Sequence, residues 1–305
     1  MSLYTDLALE ARELNPDIDG VTEETEELLD IRITRIRVSS DTAARRLDKK
    51  MGNYITLDAP KLSLRATELF PKLSECMAKE LKKLMSGIGE DACVAVVGLG
   101  NRAVTPDSLG PRTAEKIFVT RHVKNYLPEA FDFTFHPVSS IAPGVLGTTG
   151  VETYEIIKGV AERIKPDLII AIDSLASRRA ARISTTIQLS DTGIEPGSGV
   201  GNLRAGLNRE SLGIPVVAVG VPLVVHASTI TQDTISMIAD ETGLHGDEEK
   251  LKKLAEKVVS ERMDNMIVTP KDIDSIVADM SGIIADGINK ALFAEHYEEV
   301  RTLIA

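Results

Sequence analysis

The 305 residues carry 35 Lys and Arg against 46 Asp and Glu, a formal charge of −11, with 43% hydrophobic and 27% charged residues. Such a composition is globular and large enough for one sizeable domain or two ordinary ones, which excludes disordered and fibrous chains. The acidic balance speaks against a broad nucleic-acid surface, the two cysteines Cys76 and Cys93 are too few for a disulfide framework or a four-cysteine zinc site, and no apolar run reaches the roughly 18 residues of a membrane span.

Met1 to Leu14 mixes Asp6, Glu10 and Glu13 into apolar positions, so it reads as part of the fold and not as a signal peptide, and a cytoplasmic protein is expected. Val21 to Asp30 is acidic, through Glu23, Glu24, Glu26, Glu27 and Asp30. A basic stretch follows through Arg32, Arg35, Arg37, Arg45, Arg46, Lys49 and Lys50. Blocks of this kind predict a solvated face, and they offer a charged surface that could dock on the core or on a neighbouring subunit. Ile31 to Val38 alternates as a half-buried strand, but the phase slips at Thr34 and Arg35, which predicts a bulge or an edge position. Tyr54 to Leu57 reads as a second strand and Leu62 to Met85 as a long amphipathic helix. Residues 1–90 are thus expected to form an α+β extension packed on an α/β core of residues 91–305.

From Ala92 the pattern becomes regular. Cys93 to Gly98 is a short β-branched run ending in glycine, Thr113 to Asn125 has helical spacing, Phe131 to His136 reads as a strand, and Glu152 to Ile164 as a helix. Asp167 to Ile172, Thr185 to Leu189 and Ile214 to Val219 are continuous apolar strands. Such strands interleaved with helices predict a doubly wound, mostly parallel sheet covered on both faces. The tail reads as helix over Thr229 to Thr242, Glu248 to Met263 and Pro270 to Leu292, the last with Thr269 as N-cap and Pro270 at its first position.

In such sheets ligands bind beyond the carboxyl ends of the strands. Three loops qualify: Gly98 to Pro111, Ile172 to Arg178, and the glycine-rich Asp191 to Asn202. The first fits G-x-G-x-x-G/A as Gly98-Leu99-Gly100-Asn101-Arg102-Ala103, but Thr105-Pro106 interrupts the helix that a dinucleotide fingerprint requires, and no acidic residue follows about 20 positions on. Ser198 in Pro196-Gly197-Ser198-Gly199 is not a nucleophile elbow, and the five histidines show no metal-ligand spacing. No metal or cofactor is therefore expected. Two aspartates remain, Asp107 in the first loop and Asp173 at the end of Leu168-Ile169-Ile170-Ala171-Ile172. Two carboxyls near one another at the rim of a dry sheet would hold one proton between them, and such a pair can activate water and protonate a leaving amine. Both also suit helix N-caps, and spacing alone leaves the two readings level.

At these residues the sequence resembles the germination endopeptidases of spore-forming bacteria. The matching strings are Val97-Gly98-Leu99-Gly100-Asn101, Val104 to Pro111, Thr120-Arg121-His122, Pro143-Gly144-Val145, Thr149 to Thr153, Ile170 to Ala176, Pro196 to Asn202, Leu212 to Val216 and Met266 to Lys271, in order along nearly the whole chain. The resemblance implies an intracellular endopeptidase with a core similar to the hydrogenase-maturation proteases, acting on small acid-soluble spore proteins at germination. It implies a homotetramer made as a zymogen; the composition and apolar runs add the expectation of no membrane and no direct nucleic-acid partner. It places the proposed catalytic pair on Asp107 and Asp173, and processing upstream of Thr5-Asp6-Leu7-Ala8, at the Tyr4–Thr5 bond. Only four residues precede Thr5, fewer than the usual propeptide. His226 stands where relatives tend to carry aspartate and receives no catalytic role. Gly98, Gly100 and Asn101 are expected to hold the substrate chain or an oxyanion. The competing class is a nucleotide-binding or regulatory α/β module without peptidase activity.

Overall fold

The structure, a computed structural model, describes residues 5–64, 66–127, 129, 133–195, 205–242, 250 and 266–304. Among the described residues nine strands form one mixed sheet: β1 Val21–Leu28, β2 Ile31–Val38, β3 Gly52–Asp58, β4 Val94–Gly98, β5 Val138–Ile141, β6 Leu168–Ser177, β7 Thr186–Ser190, β8 Val216–His226 and β9 Ile267–Val268. The order is β1-β2-β3-β7-β8-β6-β4-β5, with β9 on β8. One half is parallel, with β4 between β5 and β6 and β6 beside β8; the half running from β8 through β7, β3 and β2 to β1 is antiparallel. The first ninety residues add their strands to this sheet through the β3–β7 ladder.

The helices cover both faces: α1 Ala8–Leu14, α2 Asp41–Leu47, α3 Phe70–Leu84, α4 Leu109–Ala114, α5 Arg121–Tyr126, α6 Leu146–Thr149, α7 Thr153–Ile164, α8 Arg209–Leu212, α9 Ala227–Thr242, α10 Ile273–Phe293 and α11 Tyr297–Ile304. Alternate strand residues enter different cores, as the pleat requires. Val94, Val96, Leu168, Ile170 and Ile172 pack with Leu73, Met77 and Leu81 of α3 and with Val277, Ile284 and Ile288 of α10. Ala95, Val97, Ile169 and Ala171 point the other way, onto Ile157 and Ala161 of α7. Farther along that second face, Ile36, Val38 and Tyr54 pack with Ala8, Ala11, Ala43 and Leu47 of α1 and α2. No helix among the described residues is long and apolar enough to cross a membrane.

The phase slip in β2 has a different origin from the bulge or edge position expected. Its pairing with β1 and β3 is unbroken. Ile31 and Ile33 bury the α3 face, then Ile36 and Val38 bury the α1–α2 face, so the strand changes which side is dry. Between them Arg35 reaches Glu80 of α3 with two bonds of 2.9 and 2.7 Å. The acidic stretch is itself the edge strand β1; two of its charges are met within the hairpin, by Arg32–Glu27 at 3.0 Å and Arg35–Glu26 at 2.9 Å, and two outside it, by Arg12–Glu23 at 3.2 Å and Lys61–Asp30 at 3.0 Å.

Other boundaries move for local reasons. The expected helix Leu62 to Met85 is two 3₁₀ turns, Pro60–Leu64 and Thr67–Leu69, before α3, whose start is set by Pro71 in its first turn. Thr113 to Asn125 is not one helix: Thr120 bonds His136 O and Val138 N and separates α4 from α5. In the 131–136 segment, 131 and 132 lie outside the described residues, and strand pairing starts only at Val138, after Pro137 accepts from Val94 N. Thr269 donates to Leu223 O instead of capping, so α10 begins at Ile273 with Asp272 at its N-cap. The expected helix over 248–263 falls almost wholly outside the described residues.

Candidate active site

Strand β4 ends at Gly98, in register with Ile172 of β6, and Leu99 N–H donates to Ile172 O at 2.8 Å. The chain then turns back at Gly100, whose φ of +110° lies where glycine is favoured. A Cβ there would come within 2.0 Å of Asp107 O and 2.9 Å of Asp107 Oδ1. The loop therefore folds onto the 3₁₀ turn Thr105–Asp107. Asn101 N–H donates to Asp107 Oδ2 at 2.8 Å, and Asn101 Oδ1 accepts from Ala103 N at 3.0 Å. Gly110, opening α4, lies so close to the strand ends that a Cβ would meet Leu99 O at 2.2 Å and Ile172 O at 2.6 Å. Two glycines thus let the loop, α4 and β6 pack backbone to backbone.

Asp173 follows Ile172 directly, is only 6% exposed, and accepts from Ser174 N at 2.8 Å. It does not end its strand as expected. β6 runs on to Ser177 because β8 accompanies it to Val225, with a register shift between Leu175 and Ala176. Only β4 stops here. Asp173 therefore sits where one neighbour of β6 has ended and the other continues, on the α7 face of the sheet that Ile169 and Ala171 also share. Neither aspartate is a helix N-cap: Ser108 precedes α4 and Asp173 is within a strand. The Thr105–Asp107 turn is a direct neighbour of β6, so both carboxyls stand at the carboxyl end of the parallel half. Ser174 Oγ is buried beside Asp173 without a hydrogen-bond partner among the described residues.

Gly98 and Gly100 lie at this strand end as expected, but the amides of Leu99 and Asn101 are already engaged, by Ile172 O and Asp107 Oδ2. The loop runs into a 3₁₀ turn and not into a helix at Ala103, so it lacks the geometry of a dinucleotide fingerprint. Among the described residues no group of three or more His, Cys, Asp and Glu side chains is arranged to hold a metal ion. Of the Tyr4–Thr5 bond, Tyr4 lies outside the described residues and Thr5 is buried.

Supporting groups not anticipated from sequence come from both ends of the chain. Thr105 Oγ1 donates to Asp274 Oδ1 of α10 at 3.0 Å, tying the Asp107 turn to the long helix. Asp6 and Glu10 bond the backbone of Ala176, Arg178 and Arg179, just beyond Asp173. At the N-terminal end the only signal is the set of acidic residues Asp6, Glu10 and Glu13 among apolar neighbours, and Asp274, in the polar stretch Lys271 to Ser275, gives none.

The germination protease family model matches residues 2–245 and 241–302, nearly the whole chain. The chain belongs to the germination protease family. It is 45% identical to the germination protease of Clostridium acetobutylicum over 312 residues, covering 95% of each chain. The corresponding protein of Caldanaerobacter subterraneus is 45% identical over 307 residues, 96% of this chain and 94% of its own. That of Bacillus cereus is 40% identical over 345 residues, 95% and 94%. A nickel–iron hydrogenase maturation protease from Thermococcus kodakarensis aligns over 61% of this chain and 99% of its own, at 18% identity and a TM-score of 0.31. The protein is accordingly an endopeptidase, as the resemblance implied, and not a regulatory module.

Proposed function

We propose that this germination protease starts the degradation of small acid-soluble spore proteins at germination, by a two-carboxylate mechanism on Asp107 and Asp173. The observation that supports the pair most strongly is their convergence: Ile172 O holds Leu99, and Asn101, two residues on, holds Asp107. With one proton shared between them, the ionised carboxylate takes a proton from water as its oxygen attacks the scissile carbonyl. The protonated partner donates to the carbonyl oxygen. Collapse of the tetrahedral species breaks the C–N bond: the amine leaves with the proton the first carboxylate took from water, and a hydroxyl of the species returns its proton to the second, which restores the pair. The role proposed for the Gly98–Asn101 turn is to fix Asp107 and to line the substrate path.

The resting form is a cytoplasmic homotetramer whose Met1–Tyr4 segment is removed at the Tyr4–Thr5 bond. Thr5 to Glu13 lies against the continuation of β6, which favours a restraint close to the site. The basic stretch serves this docking at one point, where Lys49 Nζ donates to Thr5 O at 2.9 Å. Asp107→Asn and Asp173→Asn should each abolish cleavage of a small acid-soluble spore protein while leaving the fold intact. Wild-type rates in either variant would refute the dyad. A chelator and serine or cysteine reagents should leave activity unchanged. Mass spectrometry after mild acidification should show loss of Met1 to Tyr4 with a gain in activity, and light scattering should give a tetramer.

A further inference from the structure

We propose that Asp6 and Glu10 are positioning residues for Asp173. The proposal rests on the reading of Asp173 as catalytic. Thr5, Leu7, Ala8 and Glu10 are all buried. β6 loses β4 after Ile172, so from Asp173 onward one edge of the strand has no neighbouring strand among the described residues, and on the other edge the register shifts between Leu175 and Ala176. A strand released on one side and irregular on the other can move the side chain it carries, and bulges beside active sites re-aim side chains in this way.

The N-terminal segment supplies what is missing. Asp6 N–H donates to Ala176 O at 3.1 Å, and Ala176 N–H donates to Asp6 Oδ2 at 2.8 Å. Residue 176 is thus bonded in both directions on the edge that β4 has left. Glu10, 0% exposed, accepts from Arg178 N at 2.6 Å through Oε2 and from Arg179 N at 2.9 Å through Oε1. The same carboxylate accepts from Thr5 Oγ1 and pairs with Arg182 at 3.2 Å, so its buried charge is met on every side. A third tie comes from β7: Gln188 Nε2 donates to Asp6 O at 3.1 Å and its Oε1 accepts from Ala8 N at 2.7 Å. Gln188 and Asp173 are both in register with Gly220 of β8, from opposite sides. They occupy one row of the sheet, two strand spacings or about 10 Å apart, on the same face. The segment therefore lies over the face that carries Asp173 and is anchored on two strands around it.

A catalytic group displaced by about 1 Å loses on the order of 100-fold in rate. Asp6→Ala should lower kcat on a small acid-soluble spore protein by roughly 10- to 100-fold with KM within about threefold of wild type, because the pair is misaligned while the Gly98–Asn101 turn proposed to line the substrate path is unchanged. Asp6→Asn, whose amide oxygen still accepts from Ala176 N–H, should recover most of that loss. A folded Asp6→Ala enzyme with kcat within about threefold of wild type would overturn the proposal, as would failure of Asp6→Asn to rescue. Should Asp6→Ala not fold, Gln188→Ala decides: at least a threefold fall in kcat at constant KM is expected, and an unchanged kcat overturns the proposal. Asp173→Asn is measured alongside. If it is fully active, the reading of Asp173 fails; if it is inactive while Asp6→Ala is not impaired, only the positioning role fails.

Discussion

Replacing Gly100 by alanine tests whether the first loop is built to hold Asp107. The new Cβ would sit 2.0 Å from Asp107 O, against an ordinary contact of at least 3.4 Å, so the turn must open by about 1.4 Å. The opposing atom is backbone carbonyl, which has no rotamer to escape into, and the φ of +110° adds strain of about 1–3 kcal/mol for any residue with a side chain. The Asn101 N–H to Asp107 Oδ2 bond of 2.8 Å spans the same gap and would be lost first. On the proposed role of Asp107, a displacement above 1 Å predicts a fall in kcat of about 100-fold. The assay is single-substrate peptidase kinetics beside thermal melting. A melting curve lowered by only a few degrees with kcat down about 100-fold is the expected pair of results. A Gly100→Ala enzyme that cleaves at wild-type rate would show that the loop does not set Asp107, and the argument from close packing would fall.

Gly159 is the counterpart, an exposed glycine within α7 with nothing within 4 Å of an added Cβ among the described residues; Gly159→Ala should stabilise by about 0.5–1 kcal/mol in chemical denaturation and leave kinetics unchanged. Glu80 is buried, and burial alone would push its carboxyl up, but the bonds from Arg35 and Lys83 outweigh this and hold it below its ordinary value. Arg35→Ala leaves that carboxylate short of its two-pronged partner and should cost roughly 1–3 kcal/mol, whereas Lys83→Ala, removing an exposed partner, should cost about 0–1 kcal/mol. Burial pulls the His136 imidazole below its ordinary value, against the opposing contact of Nδ1 with Ala92 O at 3.0 Å. Its folded pKa lies below the unfolded one, so its contribution is full above the unfolded value and declines as pH falls from about 6.5. Denaturant titrations at pH 7 and 5.5 should show a loss of stability that is smaller in His136→Gln; an equal loss in both would refute the assignment. Glu80 contributes in the same direction only lower, losing its share as pH falls through its depressed value.

Much of the candidate site was legible before any coordinates. Continuous apolar runs such as Leu168 to Ile172 announce strands dry on both faces, and in a parallel sheet their carboxyl ends are where loops such as Gly98 to Pro111 gather. That logic selects Asp107 and Asp173 without any knowledge of contacts. What chain-local pattern cannot express is pairing between distant segments. The slip at Thr34 and Arg35 looked like an irregular strand because a single-strand pattern assumes one buried face, and only the sheet shows that β2 serves α3 with its first half and α1–α2 with its second. The acidic stretch is the solvated surface that its charge pattern predicts, with Thr22 to Glu27 exposed, and what the pattern does not show is that it is also a strand, paired with β2 and its arginines. By itself the sequence determined the sheet-forming core and singled out the two carboxyls as candidates, since hydrophobic period and strand-end position are local properties. Tertiary structure alone decided what holds those carboxyls in place. Asp274 and Thr105 are 169 residues apart, and Asp6 and Ala176 are 170 apart, and no local period links positions brought together only when the chain closes on itself.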